Sequence, residues 1–170
     1  DYLTGTAAYQ DIMQERGVPL TVPEIGDTTH MTHVYNPLLF TQDGIETADD
    51  IVPKDFAADK CTITMLTGIN NGGKTVYAKA VGLTQLLGQN GFPVPAEDAT
   101  IHPYDMLYSH FLTPDDITSG DGFFQHEVRR MRDIVATADA DTFVVVDEPV
   151  RGTSEEAIER TAKRFLEGLD

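Results

Sequence analysis

Runs of apolar side chains, broken by glycine and proline, divide this chain into a succession of short helices and strands. Residues 1–17, DYLTGTAAYQDIMQERG, read as a helix that stops at Gly17. The next stretch, VPLTVPEIGDTTH, is proline-rich and aperiodic, so it reads as a connector, with a boundary expected near residue 28. From HVYNPLLF onward the order becomes strand, turn, strand, helix, which is the alternation of an α/β fold. TITML (62–66) is a short apolar run closed by glycine, and it predicts a buried strand. Cys61 at its start is expected to be a small core residue. Past the glycines, Val76, Ala80, Leu83 and Leu87 recur at helical spacing, and Gly91 is placed to cap that helix. A further helix is predicted over about 123–138, with Phe124, Val128, Met131 and Val135 as its apolar stripe. TFVVV (142–146) predicts another buried strand, and SEEAIERTAKRFLEGL a closing helix. The chain contains no internal repeat and no low-complexity tract.

Composition narrows the class. A chain of 170 residues, 41% apolar and 24% charged, suits one soluble domain with one sizeable core. No apolar run approaches the roughly 20 residues that span a bilayer, so no membrane is expected as a partner. The chain opens on Asp1, with neither an initiator Met nor a signal-peptide pattern, and is expected to be part of something longer. A single cysteine can form neither an internal disulfide nor a multi-Cys metal cluster, which fits a reducing, cytoplasmic setting. The net charge of −16 repels phosphate backbones, so the chain is not expected to grip DNA by itself. The one basic cluster, RRMR at 129–132, is short and falls on a predicted helix. The histidines, His30, His33, His102, His110 and His126, show no metal-ligand spacing.

One segment carries chemistry. LTGINNGGKTV contains Gly68-x-x-x-x-Gly73-Lys74-Thr75, the P-loop pattern, between a predicted strand and a predicted helix. Gly68, Gly72 and Gly73 let backbone amides turn inward where side chains would block them. Ile69, Asn70 and Asn71 complete the loop, and Val76 continues into the helix, whose positive end adds to the field on an anion. Lys74 is placed to reach the terminal phosphates of a nucleoside triphosphate, and Thr75 to offer a hydroxyl to Mg²⁺. A second segment supports the first. FVVVDE places Asp147 and Glu148 at the carboxyl end of an apolar strand, where α/β sheets bind ligands. There Asp147 is a candidate Mg²⁺ ligand and Glu148 a candidate for polarising the attacking water.

Taken in order, TGINNGGKT, GFPVPAEDATI, DDITSGDGFFQHEV and VVVDEPVRGTS resemble the ATPase domain of the MutS family of DNA mismatch repair proteins, over about residues 30 to 160. The resemblance implies an α/β P-loop NTPase of ABC-ATPase type, a three-layer sandwich around a largely parallel sheet, behind a short helical lead-in. Residues 1–28 would then be the tail of a lever, and residues 29–170 a C-terminally truncated ATPase domain. In such a family two domains face each other as a homodimer and share composite ATP sites, while DNA is held by regions outside this chain. The resemblance puts Asn70 in the phosphate loop and gives Glu148 the water. It makes SGDGFF (119–124) the signature segment offered to a partner's γ-phosphate, and places Ile51, within IVPKDF, against adenine by apolar packing.

The chain also departs from the family pattern. Gly122 stands where the signature usually has Ser, His110 where an Arg is usual, Ile69 for Pro and Val150 for Gly. GGKTV resembles the branch that acts on branched DNA, whereas RGTS and Glu127 resemble the mismatch-recognising branch, so the subfamily stays open. Arg151 suits either a bridge to a partner subunit or a local ion pair with Glu155 or Glu156. Three other readings remain: an ATP-gated module that hydrolyses weakly, an ABC-type ATPase of another role, and a small-molecule kinase. The kinase predicts a basic lid, and residues 100–122 are acidic. A transporter ATPase predicts a fuller Leu-Ser-Gly-Gly-Gln signature than TSGDG.

Overall fold

Glycine stereochemistry sets where the helices end. In the computed structural model, which describes residues 2–69, 71–111, 122–148 and 155–169, helix α1 (Tyr2–Glu15) stops just before Gly17, whose φ is 71°. Gly17 N donates to Gln14 O at 3.0 Å and Val18 N to Met13 O at 2.9 Å. These bonds satisfy carbonyls that the helix leaves open, and the Met13 and Val18 side chains are both buried. Helix α2 (Lys74–Gln89) ends by the same device at Gly91, with Gly91 N on Gly88 O and Phe92 N on Leu87 O, each at 3.0 Å.

The chain forms two units, Asp1–Pro103 and Tyr104–Asp170. In the first, β1 (Glu24–Ile25), β4 (Asp98–Ile101), β2 (Thr29–Val34) and β3 (Lys54–Ala58) lie side by side in that order. Only the β1–β4 pair is parallel; β2 runs antiparallel to both β4 and β3. This sheet is therefore mixed, where the resemblance implied a largely parallel one. The pairing of β2 with β3 shifts register between Met31 and Val34, at His33 with its φ of 50°, so Val34 is buried three positions after Met31. The proline-rich stretch after Gly17 is stitched to this unit: Thr21 and Val94 exchange backbone hydrogen bonds, and Gly26 N donates to Ile101 O.

Met31, Val94, Ala96 and Ile101 make the fully buried centre of this unit, each larger side chain contributing about 1.5–3 kcal/mol. The α2 face turned inward is Ala80, Val81, Thr84, Gln85 and Gly88, with Leu83 and Leu87 only half-buried. The expected stripe is thus rotated, and Gln85 shows how a polar side chain can turn inward. Gln85 donates to His102 O at 2.8 Å, and its Oε1 lies 3.4 Å from the Thr29 hydroxyl that donates to it. A polar side chain whose hydrogen bonds are made can be buried without penalty.

The strand expected at 62–66 is not formed. Ile63, Met65 and Leu66 are 47%, 67% and 44% exposed, and no described strand pairs with them. Cys61, expected in the core, is exposed and has a φ of 57°. A left-handed residue turns the chain out of an extended path, so no ladder begins there.

In the second unit, β5 (Met106–His110) and β6 (Thr142–Val146) pair in parallel, from Met106 opposite Thr142 to His110 opposite Val146. Parallel neighbours need a crossover, which contains α3 (Gly122–Thr137). Helix α4 (Glu155–Leu169) follows β6. Met131 and Ile134 of α3 pack with Phe165 of α4 against Tyr108, Val144 and Val146. Of the stripe expected on α3, Met131 is buried, Val128 and Val135 are half-buried, and the Phe124 side chain lies outside the described residues. Among the described residues no helix is long and apolar enough to cross a membrane.

Candidate functional site

The glycine loop curls over its own lysine. Gly72 N donates to Ile69 O at 3.1 Å. A Cβ added at Gly72 would press on that same carbonyl at 3.0 Å. Asn71 and Gly73 have φ of 62° and 83°, so the backbone winds left-handed into the start of α2. Gly73 is the N-cap and brings no capping side chain, which opens the positive end of α2 onto the loop. Lys74, the first helical residue, folds back so that Nζ donates to Gly68 O at 2.9 Å and to Ile69 O at 2.8 Å. An ammonium has three donors, and two of them are held by the loop's own carbonyls. Asn70 lies outside the described residues.

Two contacts fix the turn that follows. The buried Asn36 donates through Nδ2 to Val76 O at 3.0 Å, and Tyr77 OH donates to Asp55 O at 2.7 Å. Burial first, and the neighbouring Asp55 second, push the Tyr77 phenol above its ordinary range, so it stays a donor. Ile51 is 8% exposed and packs into its unit, whereas the next residue, Val52, is 76% exposed.

In the second unit, the β6 ladder runs one residue past its end, with Asp147 N donating to His110 O at 2.9 Å. Asp147 is half-buried; Glu148 is exposed and takes a φ of 52°. A left-handed backbone costs a residue with a Cβ about 1–2 kcal/mol, and such strain gathers where a side chain must be aimed. Behind this corner, His110 Nε2 lies 3.7 Å from Glu127 Oε1, both side chains nearly sealed from solvent. Glu127 is thus a buried partner of β5. The helical period would have exposed it, since 127, 131 and 134 follow one face of α3. Arg130 adds a second tie, donating to Ser109 O at 2.8 Å.

The segments 112–121 and 149–154 lie outside the described residues, and with them the first half of SGDGFF, Val150 and Arg151. Among the described residues no three His, Cys, Asp or Glu side chains gather as a metal site. His33 Nδ1 instead meets Glu97 Oε2 at 2.8 Å on the surface. Sequence reasoning missed Asn36, although an Asn followed by Pro is a start signal for a helical turn.

The family model described as MutS domain V matches residues 64–166, more than half of the chain. A DNA mismatch repair protein MutS from Oceanobacillus iheyensis is 36% identical over 104 residues, 61% of this chain and 12% of that protein. The MutS of Chlorobium chlorochromatii is 34% identical over 130 residues, 76% of this chain and 15% of its own. The human DNA mismatch repair protein Msh3 is 36% identical over 108 residues, 62% of this chain and 10% of its own. The chain spans only 10–15% of the length of these relatives.

Proposed function

The chain belongs to the MutS domain V family, and on that premise we propose that it is the ATP-binding and hydrolysing motor portion of a MutS-like DNA repair protein. The observation that carries this is the Lys74 ammonium held inside the curl of a glycine loop at the start of α2.

The residues present fit a nucleoside triphosphate. A loop that has no room for a Cβ at Gly72, and that presents a helix N-terminus beside a cation, suits phosphate oxygens. Lys74 would exchange the Gly68 and Ile69 carbonyls for those oxygens. Asn70, Asn71, Gly73 and Val76 complete the cradle. Beside the buried Ile51, which the resemblance sets against adenine, the exposed Val52 offers apolar contact to a base. Mg²⁺ is commonly bound by one or two protein oxygens together with phosphates rather than by an all-protein cage. The family resemblance gives that role to Thr75 and to Asp147, and the ion when bound would neutralise charge on the phosphates. Glu148 would accept the proton of the attacking water.

On this reading the chain is an ABC-type P-loop ATPase domain, with residues 1–28 as the lead-in from a lever. The full-length protein acts as a cytoplasmic homodimer that ATP closes and hydrolysis reopens, and DNA is held elsewhere in it. A second reading, an ATP-gated module with weak hydrolysis, is favoured by Gly122, which opens α3 without a hydroxyl. Turnover of the full-length protein decides between them. Mg²⁺-dependent hydrolysis that Glu148→Gln reduces about 10²–10⁴-fold, with ATP binding retained, is the expected result. ATP binding without turnover in the unsubstituted protein would establish the second reading, and a Glu148→Gln protein as active as its parent would remove Glu148 from the mechanism.

A further inference from the structure

We propose that Asn36 is a positioning residue for the phosphate loop: it ties the first turn of α2 to the end of β2 and so fixes the directions of Lys74 and Thr75. The inference rests on the nucleotide-site reading above. Asn36 is 3% exposed and uses both ends of its amide. Its Oδ1 accepts from Leu38 N at 3.0 Å, capping the 3-10 turn Pro37–Thr41, while its Nδ2 donates across 40 residues of sequence to Val76 O. The base of this clamp is itself held, because Tyr35 N donates to Pro95 O at 2.8 Å. On the next residue of α2, the Tyr77 hydroxyl is fixed to β3 through Asp55 O.

The loop needs such ties. The segment leading into it, residues 60–69, is exposed and has no regular structure. The helix it enters begins at a left-handed glycine with no side-chain cap. A helix carbonyl at the place of Val76 is served by the amide four residues on, so a second, buried donor adds placement rather than satisfying an open group. Holding a binding group in its working geometry before the ligand arrives is what preorganisation supplies to affinity.

The test uses the whole chain and ATP·Mg²⁺. Asn36→Ser keeps a short acceptor for Leu38 N and is too short to reach Val76 O. Calorimetry far below the melting temperature is expected to give an ATP affinity about tenfold weaker than the parent. A lowered melting point with unchanged affinity would mean that Asn36 is merely structural, and would overturn the inference. Lys74→Ala separates the two levels. Loss of binding there, beside unweakened binding in Asn36→Ser, defeats this inference alone; no ATP binding by the parent defeats the nucleotide reading and this inference with it. Should Asn36→Ser fail to fold, amide exchange in the parent decides. ATP is expected to slow exchange at Leu38, the amide bonded to Asn36, and protection of the loop without any change at Leu38 would overturn the proposal.

Discussion

At the residue scale, single side chains are held in places that ordinary folding would not choose. Glu148 accepts a left-handed backbone at the end of β6, and Lys74 turns its ammonium onto two carbonyls of its own loop. Tyr9 on α1 shows the same tension without a functional role: its hydroxyl is buried with no hydrogen-bond partner, and burial pushes the phenol up to about 12. The folded state therefore keeps this proton where the unfolded chain loses it, near 10. Stability from Tyr9 is complete below that value and is lost as pH rises toward about 12. Thermal melts of the parent should fall across this window, and Tyr9→Phe should shallow the fall while leaving the neutral-pH melting point equal or higher. An identical alkaline slope in the variant would contradict the assignment.

At the element scale, α2 shows what packing adds to propensity. Alanine for glycine inside a helix normally gains about 0.5–1 kcal/mol. At Gly88 the added methyl would run into Ile101 Cδ1, with Pro23 Cγ at 3.1 Å and Val94 Cγ1 at 3.3 Å. Overpacking of a filled core costs about 1–3 kcal/mol, so Gly88→Ala should lose about 1 kcal/mol net in urea unfolding; a gain would mean that this helix face is looser than described. The same helix marks the limit of what pattern reveals. Its stop at Gly91 and its glycine-loop start were legible because both are local chemistry, written within a few residues. Its buried face was not, because Gln85 enters the core through partners far away in sequence, the Thr29 hydroxyl and the His102 carbonyl. The run 62–66 misled for the opposite reason: apolar, β-branched residues promise a strand, yet a strand also needs a neighbour and an extended lead-in, and Cys61 with its φ of 57° gives no such lead-in. Asn36 was hidden by distance, its partner lying 40 residues away.

At the scale of the whole molecule, a net charge of −16 disfavours contact with nucleic-acid backbones, and Lys74 in the glycine loop is a positive charge set against that background. Family membership was legible from ordered motifs; the mixed sheet of the first unit was not, because its antiparallel partners, Thr29–Val34 and Asp98–Ile101, lie far apart in sequence. The central claim is that this chain recognises nucleotide phosphates through Lys74. Calorimetric titration of ATP and ADP, with and without Mg²⁺, into the parent and Lys74→Ala tests it most directly. Saturable binding by the parent, reduced at least about 100-fold by the substitution, is the predicted result, because a charged contact in a preorganised site is worth several kcal/mol. Equal affinity in a well-folded Lys74→Ala protein, or no binding by a well-folded parent, would contradict it.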